Sequence, residues 1–243
     1  MKRLGVDVGS AYLGVVLLED GAVREAHYAE HKGAASEALE ALLAEPRFSS
    51  YDAAGVTASV EGRDRRLIDN SLALIEGAGF LLPGCRSVFE VGAQTFSLIF
   101  FDSEGRYREH TVNPPCAAGT GSFVDAQAER LGLSASRLAA LASAFDGKVP
   151  AIATRCAVFA KTDIIHAMQE GYSLQAVCAG LCDGLGRSVV EALVKGRTLE
   201  GHAGFVGGVS LNHRMAAAME RLLKVPVKVP RYAAPAGAVG AAL

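Results

Sequence analysis

The 243-residue sequence predicts a two-lobed α/β protein with a duplicated mixed β-sheet core. Three observations carry that expectation. A strand, glycine turn and strand near the start recur at a constant offset of 83 residues, Asp7 falling on Glu90. Strand-length apolar runs alternate with segments of helical period. A third glycine turn, Gly207-Gly208, closes a short apolar run near the C-terminus. With 50% hydrophobic residues the chain can bury a large core, so disorder is not expected.

The elements follow in order. The first hairpin, LGVDVGSAYLGVVLLEDGAVR, places strands within 2–29, and helices are expected near 34–44 and 68–80. The second hairpin, SVFEVGAQTFSLIFFDSEGR, places strands within 87–112. In the two hairpins Val8 falls on Val91, Gly9 on Gly92, and Val15-Val16-Leu17-Leu18 on Leu98-Ile99-Phe100-Phe101. Helices are then expected near 120–131 (apolar at Phe123, Val124, Ala128, Leu131), 135–144, 157–170 (Ile164, Ile165, Ala167, Met168) and 173–195. The last of these carries Cys178 and Cys182 on the face of Leu174, Leu181, Leu185 and Val189, a core position, and Met168 is read as core likewise. A helix over 211–223 groups Leu211, Met215, Ala218, Met219 and Leu222, and strand edges are expected near 151, 204 and 227. The first lobe spans 1–83 and the second 84–232, with a C-terminal helix over 233–243 returning to the first.

A formal charge of −2, with Lys and Arg scattered, supplies no basic field for nucleic acid. The charged run 61–66 reads as a solvated loop or helix start. The N-terminal apolar run is interrupted at Asp7 and at Glu19-Asp20, so it is not a signal peptide, and no stretch has the length of a membrane span. A cytoplasmic protein is expected. Five cysteines without a CxxC pair argue against a disulfide framework, leaving thiols or metal ligands.

Each repeated turn joins an acidic strand end to an amide-rich concavity suited to phosphate oxygens. A bare carboxylate repels phosphate, so Asp7 and Glu90 make chemical sense with Mg²⁺ between them and the ligand. The alternative for Asp7 is simple closure of a turn. Gly207-Gly208 allows close approach of a flat ring, with Asn212 able to bond a sugar or base. Cys116, in NPPCAAGTGSFVDAQAERL, and Cys156 each stand at or just before a helix start, where the helix field favours thiolate. On residues alone these two are open among cluster ligand, catalytic nucleophile with His110 or His166 nearby, and buried core thiol.

The succession of two phosphate turns and a Gly-Gly turn resembles the actin, sugar-kinase and Hsp70 (ribonuclease H-like) fold. Cys-Ala-Ala-Gly-Thr-Gly at 116–121, Cys-Ala-Val-Phe-Ala at 156–160 and Gly-Gly-Val-Ser-Leu-Asn at 207–212 narrow this, as do Gly77-Ala78, Leu82-Pro83-Gly84, Pro235-Ala236-Gly237-Ala238 and Gly240-Ala241-Ala242. Together they resemble the ATPase activators of 2-hydroxyacyl-CoA dehydratases and the ATPase subunits of benzoyl-CoA reductases (BadF/BadG/BcrA/BcrD type). The resemblance implies an ATPase that binds ATP/ADP and Mg²⁺ through Asp7, Gly9, Ser10, Glu90, Gly92, Gln94, Gly207, Gly208 and Asn212. Gln94 would orient a water. It further implies a homodimer whose Cys116 and Cys156, two from each chain, hold one 4Fe-4S cluster, with Gly119 and Gly121 bringing a helix start close to it. A low-potential electron would pass from reduced ferredoxin or flavodoxin into a partner iron-sulfur dehydratase or reductase, in an oxygen-sensitive system.

The chain departs from that pattern where the family's Gly-Ser-Thr-Thr-Thr-Lys becomes Gly9-Ser10-Ala11-Tyr12-Leu13-Gly14, losing hydroxyls and an ammonium. The second turn, Glu90-Val91-Gly92-Ala93-Gln94-Thr95, has Thr95 in place of an acid. Both losses predict weak hydrolysis. A small-molecule kinase of the same fold and a nucleotide-binding regulatory subunit are the competing expectations.

Overall fold

The computed structural model describes residues 1–57, 65–113 and 120–243. Strands β1 (Lys2–Val8), β2 (Tyr12–Glu19) and β3 (Ala22–Glu30) are followed by helix α1 (Ala35–Leu43), β4 (Ala53–Val56), β5 (Arg65–Leu67) and α2 (Asn70–Leu81). Then come β6 (Ser87–Val91), β7 (Phe96–Phe101) and β8 (Tyr107–Val112), and helices α3 (Gly121–Arg130), α4 (Ala135–Ser143), α5 (Ala157–Gln169) and α6 (Leu174–Val194). The chain ends with β9 (Ala203–Val206), a 3₁₀ turn (Gly208–Leu211), α7 (His213–Leu223), β10 (Val227–Lys228) and α8 (Ala236–Ala242).

Two five-stranded sheets have the same topology, β3-β2-β1-β4-β5 and β8-β7-β6-β9-β10. In each, the hairpin strands pair antiparallel, and the first strand pairs parallel with the strand that follows a crossover. The duplication reaches the register. Asp7 lies opposite Gly14 and Glu90 opposite Ser97, one repeat apart. The bulge between Leu17 and Leu18 recurs between Phe100 and Phe101. A bulge twists and bends its strand, so its recurrence at one site of both halves gives the two sheets the same local shape.

Central strands are buried because they read as near-continuous apolar runs: Leu4, Val6, Val15, Val16, Val88, Phe89, Leu98 and Ile99 have no exposed surface. The second sheet shares one large core with α3 to α7, while Leu4, Val6, Leu39, Leu42 and Phe48 form the core of the first. Helix α8 lies on the first sheet and crosses α2 at backbone contact distance. A methyl group on Gly5 would overlap the Ala238 carbonyl, and one on Gly77 would overlap that of Ala236.

Several expectations change. β4 and β5 are additional strands, since the short AAGV run carries little strand signal. The segment near 151 is no strand: Ala153 N–H donates to Asp163, and Thr154 bonds Gly184 and Ser188 of α6. Its polar groups are thus met by helices instead of a ladder. Cys178 and Cys182 are fully buried, but Met168 is 51% exposed, one position off the buried line Ala160, Ile164, Ala167. Leu211 and Leu222 are likewise exposed, beside the buried Met215, Ala218 and Met219. The charged run from Glu61 to Asp64, Cys116 and Gly119 lie outside the described residues. Among the described residues no helix is long and apolar enough to cross a membrane.

Candidate functional site: an acidic cleft between the sheets

Both repeated turns close in the same way, Gly9 N–H bonding to the Tyr12 carbonyl and Gly92 N–H to that of Thr95. The first turn is anchored by Thr57, which follows β4. Its hydroxyl donates to Asp7 Oδ1 at 2.7 Å and accepts from the Val8 amide at 3.2 Å. In the second, Ser97 donates to Glu90 Oε2 at 3.2 Å. The third turn places Gly207 at φ 87°, with its N–H on the Ala233 carbonyl and its carbonyl accepting from Ser210 Oγ at 2.6 Å. A side chain on Gly207 would also run into the Val91 backbone, so glycine is required there twice over.

These turns enclose a cavity of about 400 Å³ that brings together Asp7, Gly9, Ser10, Glu90, Gly92, Gln94, Gly207 and Gly208. Asn212 does not line it. It is the N-cap of α7, accepting from Met215 N–H and donating to Cys182 Sγ, both within the core. Gly121 also stands off the cavity wall. Its N–H bonds the Gly92 carbonyl and that of Ser122 the Ala93 carbonyl, seating the start of α3 on the back of the second turn. Cys156 is a free, half-buried thiol at the N-cap of α5.

Electrostatics set the two cleft carboxyls apart, because both are hard to ionise where they stand. Burial pushes the Glu90 carboxyl up to about 8, with the Asp7 charge adding to the shift and the Ser97 bond opposing it. Burial raises Asp7 too, against the Thr57 bond. Asp125 of α3 is raised by burial and then by the charge of Glu30 on β3, and its own field reaches Tyr12 and Tyr28. Two carboxyls set so that neither ionises easily are a fit for a divalent cation, which would hold both charged. Among the described residues no group of three or more His, Cys, Asp or Glu could hold a metal ion directly.

Sequence reasoning missed Thr57, Ser97, Tyr28 and Asp125. Ser97 was within reach, being the register partner of Glu90 in the hairpin already recognised.

A family model for BadF/BadG/BcrA/BcrD ATPases matches residues 4–243. The chain belongs to this family. Among curated members it is 30% identical to the (R)-2-hydroxyglutaryl-CoA dehydratase activating ATPase of Acidaminococcus fermentans, covering 99% of this chain and 95% of that one. It is 28% identical to the 2-hydroxyisocaproyl-CoA dehydratase activator of Clostridioides difficile, covering 100% and 94%. A solved structure of a Clostridium difficile activator with bound ADPNP superposes with a TM-score of 0.86 at 25% identity, over 100% of this chain and 93% of that one. A glucokinase from Streptomyces griseus, 13% identical with a TM-score of 0.55, shares the fold alone. The family membership and the α/β fold expected from the motifs thus both hold.

Proposed function

We propose that this family member is an ATP-dependent reductive activator, binding Mg²⁺-nucleotide in the acidic cleft and passing a low-potential electron to a partner iron-sulfur dehydratase or reductase. The carrying observation is α3. Its first turn is bonded to the second phosphate turn, and at its far end Arg130 donates to the carbonyl of Ala157, the residue after Cys156. One rigid helix therefore connects the nucleotide cleft to the thiol-bearing start of α5.

Of the two cysteines proposed to share a 4Fe-4S cluster, Cys156 is the described one, and its setting suits a ligand. Cys156 has no competing bond within its own helix cap, and the N-terminal end of α5 stabilises an anionic ligand there. Beside it α5 presents Val158, Phe159, Ile165 and Met168, 45–70% exposed. A second copy of the chain would cover this apolar face, making the homodimer that brings Cys116 and Cys156 of each copy together, because two thiolates cannot fill four ligand positions. The cluster, when bound, supplies one-electron chemistry, with reduced ferredoxin or flavodoxin as donor.

In the cleft, the amides of Ser10, Ala93 and Gln94, in turns closed by the Gly9 and Gly92 N–H bonds, would hold phosphate oxygens, and Asp7 and Glu90 would position Mg²⁺. Gln94, exposed at the lip, would orient the attacking water. The lobes, 1–83 and 84–232 with 233–243 laid back on the first, close on the nucleotide. Closure shifts the second turn, and with it α3 and the start of α5, a two-state switch read at the dimer interface.

Anaerobic purification and reconstitution should give a brown dimer with about four iron per dimer. Cys156→Ser should remove the iron while leaving ADP binding intact. A colourless, iron-free monomer from reconstituted protein defeats the proposal.

A further inference from the structure

The first turn is poor in side-chain donors: of the residues between Gly9 and Gly14, only Ser10 and Tyr12 carry a hydroxyl. The fold brings a second phenol to the same place. Tyr28 on β3 is the register partner of Gly14. Its ring stacks on that of Tyr12, centroids 5.1 Å apart and planes within 3°. Its hydroxyl crosses the cleft to the second lobe and lies so close to Gly208 that a Cβ there would overlap the phenol oxygen. Both tyrosines line the cavity that holds Asp7, Glu90 and the three turns.

We propose that Tyr28, held in place by Tyr12, binds the phosphate chain of the nucleotide by donating its hydroxyl proton, supplying from β3 what the first turn lacks. The inference rests on the assignment of this cleft to a nucleotide. Three considerations favour phosphate over base or sugar. One ring face is already covered by Tyr12, and the part of the side chain directed at the opposite lobe is the hydroxyl. That hydroxyl is near enough to Asp7 and Glu90, at the two phosphate turns, to feel both charges. Burial, followed by the fields of Tyr12, Asp7, Glu90 and Asp125, holds the phenol far above its usual range, so it remains an O–H donor to an acceptor-only phosphate at any physiological pH. Because the same hydroxyl touches Gly208, phosphate bound to it tethers the lobes together.

The test is a titration of the full chain with adenosine, ADP and ATP in the presence of Mg²⁺, comparing wild type with Tyr28→Phe, which preserves ring and stack. Loss of a hydrogen bond to a charged group should weaken ADP and ATP by about tenfold to hundredfold. Adenosine affinity and melting temperature should stay unchanged. Equal or tighter ADP binding by Tyr28→Phe overturns the inference and makes Tyr28 a wedge filling nucleotide space. An equal loss for adenosine overturns it in favour of a nucleoside contact. A wild-type chain that binds no nucleotide removes the assignment of the cleft itself, and the inference falls with it. Thermal melting of both proteins separates any of these results from loss of folding.

Discussion

Replacing Glu90 with Gln should change how stability depends on pH, by an amount that follows from its setting. In the metal-free protein the carboxyl is raised from an ordinary 4.5 to about 8 by burial and the nearby Asp7. Between those two values the folded chain keeps a proton that the unfolded chain has released. Stability therefore falls as pH rises through this window and levels off above about 8. Each unit is worth about 1.4 kcal/mol, so the contribution lost between pH 5 and pH 7 is about 3 kcal/mol. Glutamine keeps the shape and a hydrogen bond to Ser97 without the ionisation. The assay is urea unfolding in a chelator at pH 5, 6, 7 and 8, comparing variant with wild type. His27 and His110, both lowered by burial, favour the fold as pH rises, and they act equally in both proteins, so the difference isolates Glu90. The stability of Glu90→Gln relative to wild type should grow by about 3 kcal/mol from pH 5 to pH 7. A gap that stays constant over this range refutes a Glu90 carboxyl that burial holds protonated.

Two further perturbations follow from the packing. Gly77→Ala forces a methyl group into the Ala236 carbonyl where α2 crosses α8, and should cost about 3 kcal/mol in urea unfolding; a variant within 1 kcal/mol of wild type would mean that the helices separate freely. Asn212→Ala loses the α7 cap and the bond to Cys182, and should cost about 2 kcal/mol while ADP affinity is unchanged. A tenfold loss of affinity at unaltered stability would instead show that Asn212 reaches the ligand.

The hairpins were legible because their logic is local. A carboxylate, a glycine two residues on and an apolar strand suffice to place Asp7, Gly9, Glu90 and Gly92, whereas the paired bulges at Leu17 and Phe100, though related by the same offset, emerge only in the structure. Asn212 reads two ways in sequence because an amide before a helix serves equally as ligand contact and as N-cap, and the structure shows it as a buried N-cap beside Cys182. Met168 was misjudged because on α5 the apolar set runs more than halfway around the helix, exceeding the single buried line. Thr57 and Tyr28 carried no signal, since each acts across a sheet on a residue tens of positions away or in the opposite lobe.

These omissions share a cause, and it alters the view of the depleted first turn. Read linearly, Ala11, Leu13 and Gly14 are losses from a phosphate site. In the fold, Gly14 pairs with Tyr28, and Tyr12 is the surface on which that ring rests. The exchange of an ammonium for two phenols lowers the positive charge of the turn while keeping donors within the cleft. If the cleft takes a nucleotide as proposed, Asp7 and Glu90 are hard to ionise there without a cation, and a neutral donor set would leave Mg²⁺ as the main source of positive charge on the phosphates. Nucleotide affinity in this family member should accordingly depend on Mg²⁺ more steeply than in a member that retains the turn lysine, a comparison made by titrating ADP with and without Mg²⁺ on both.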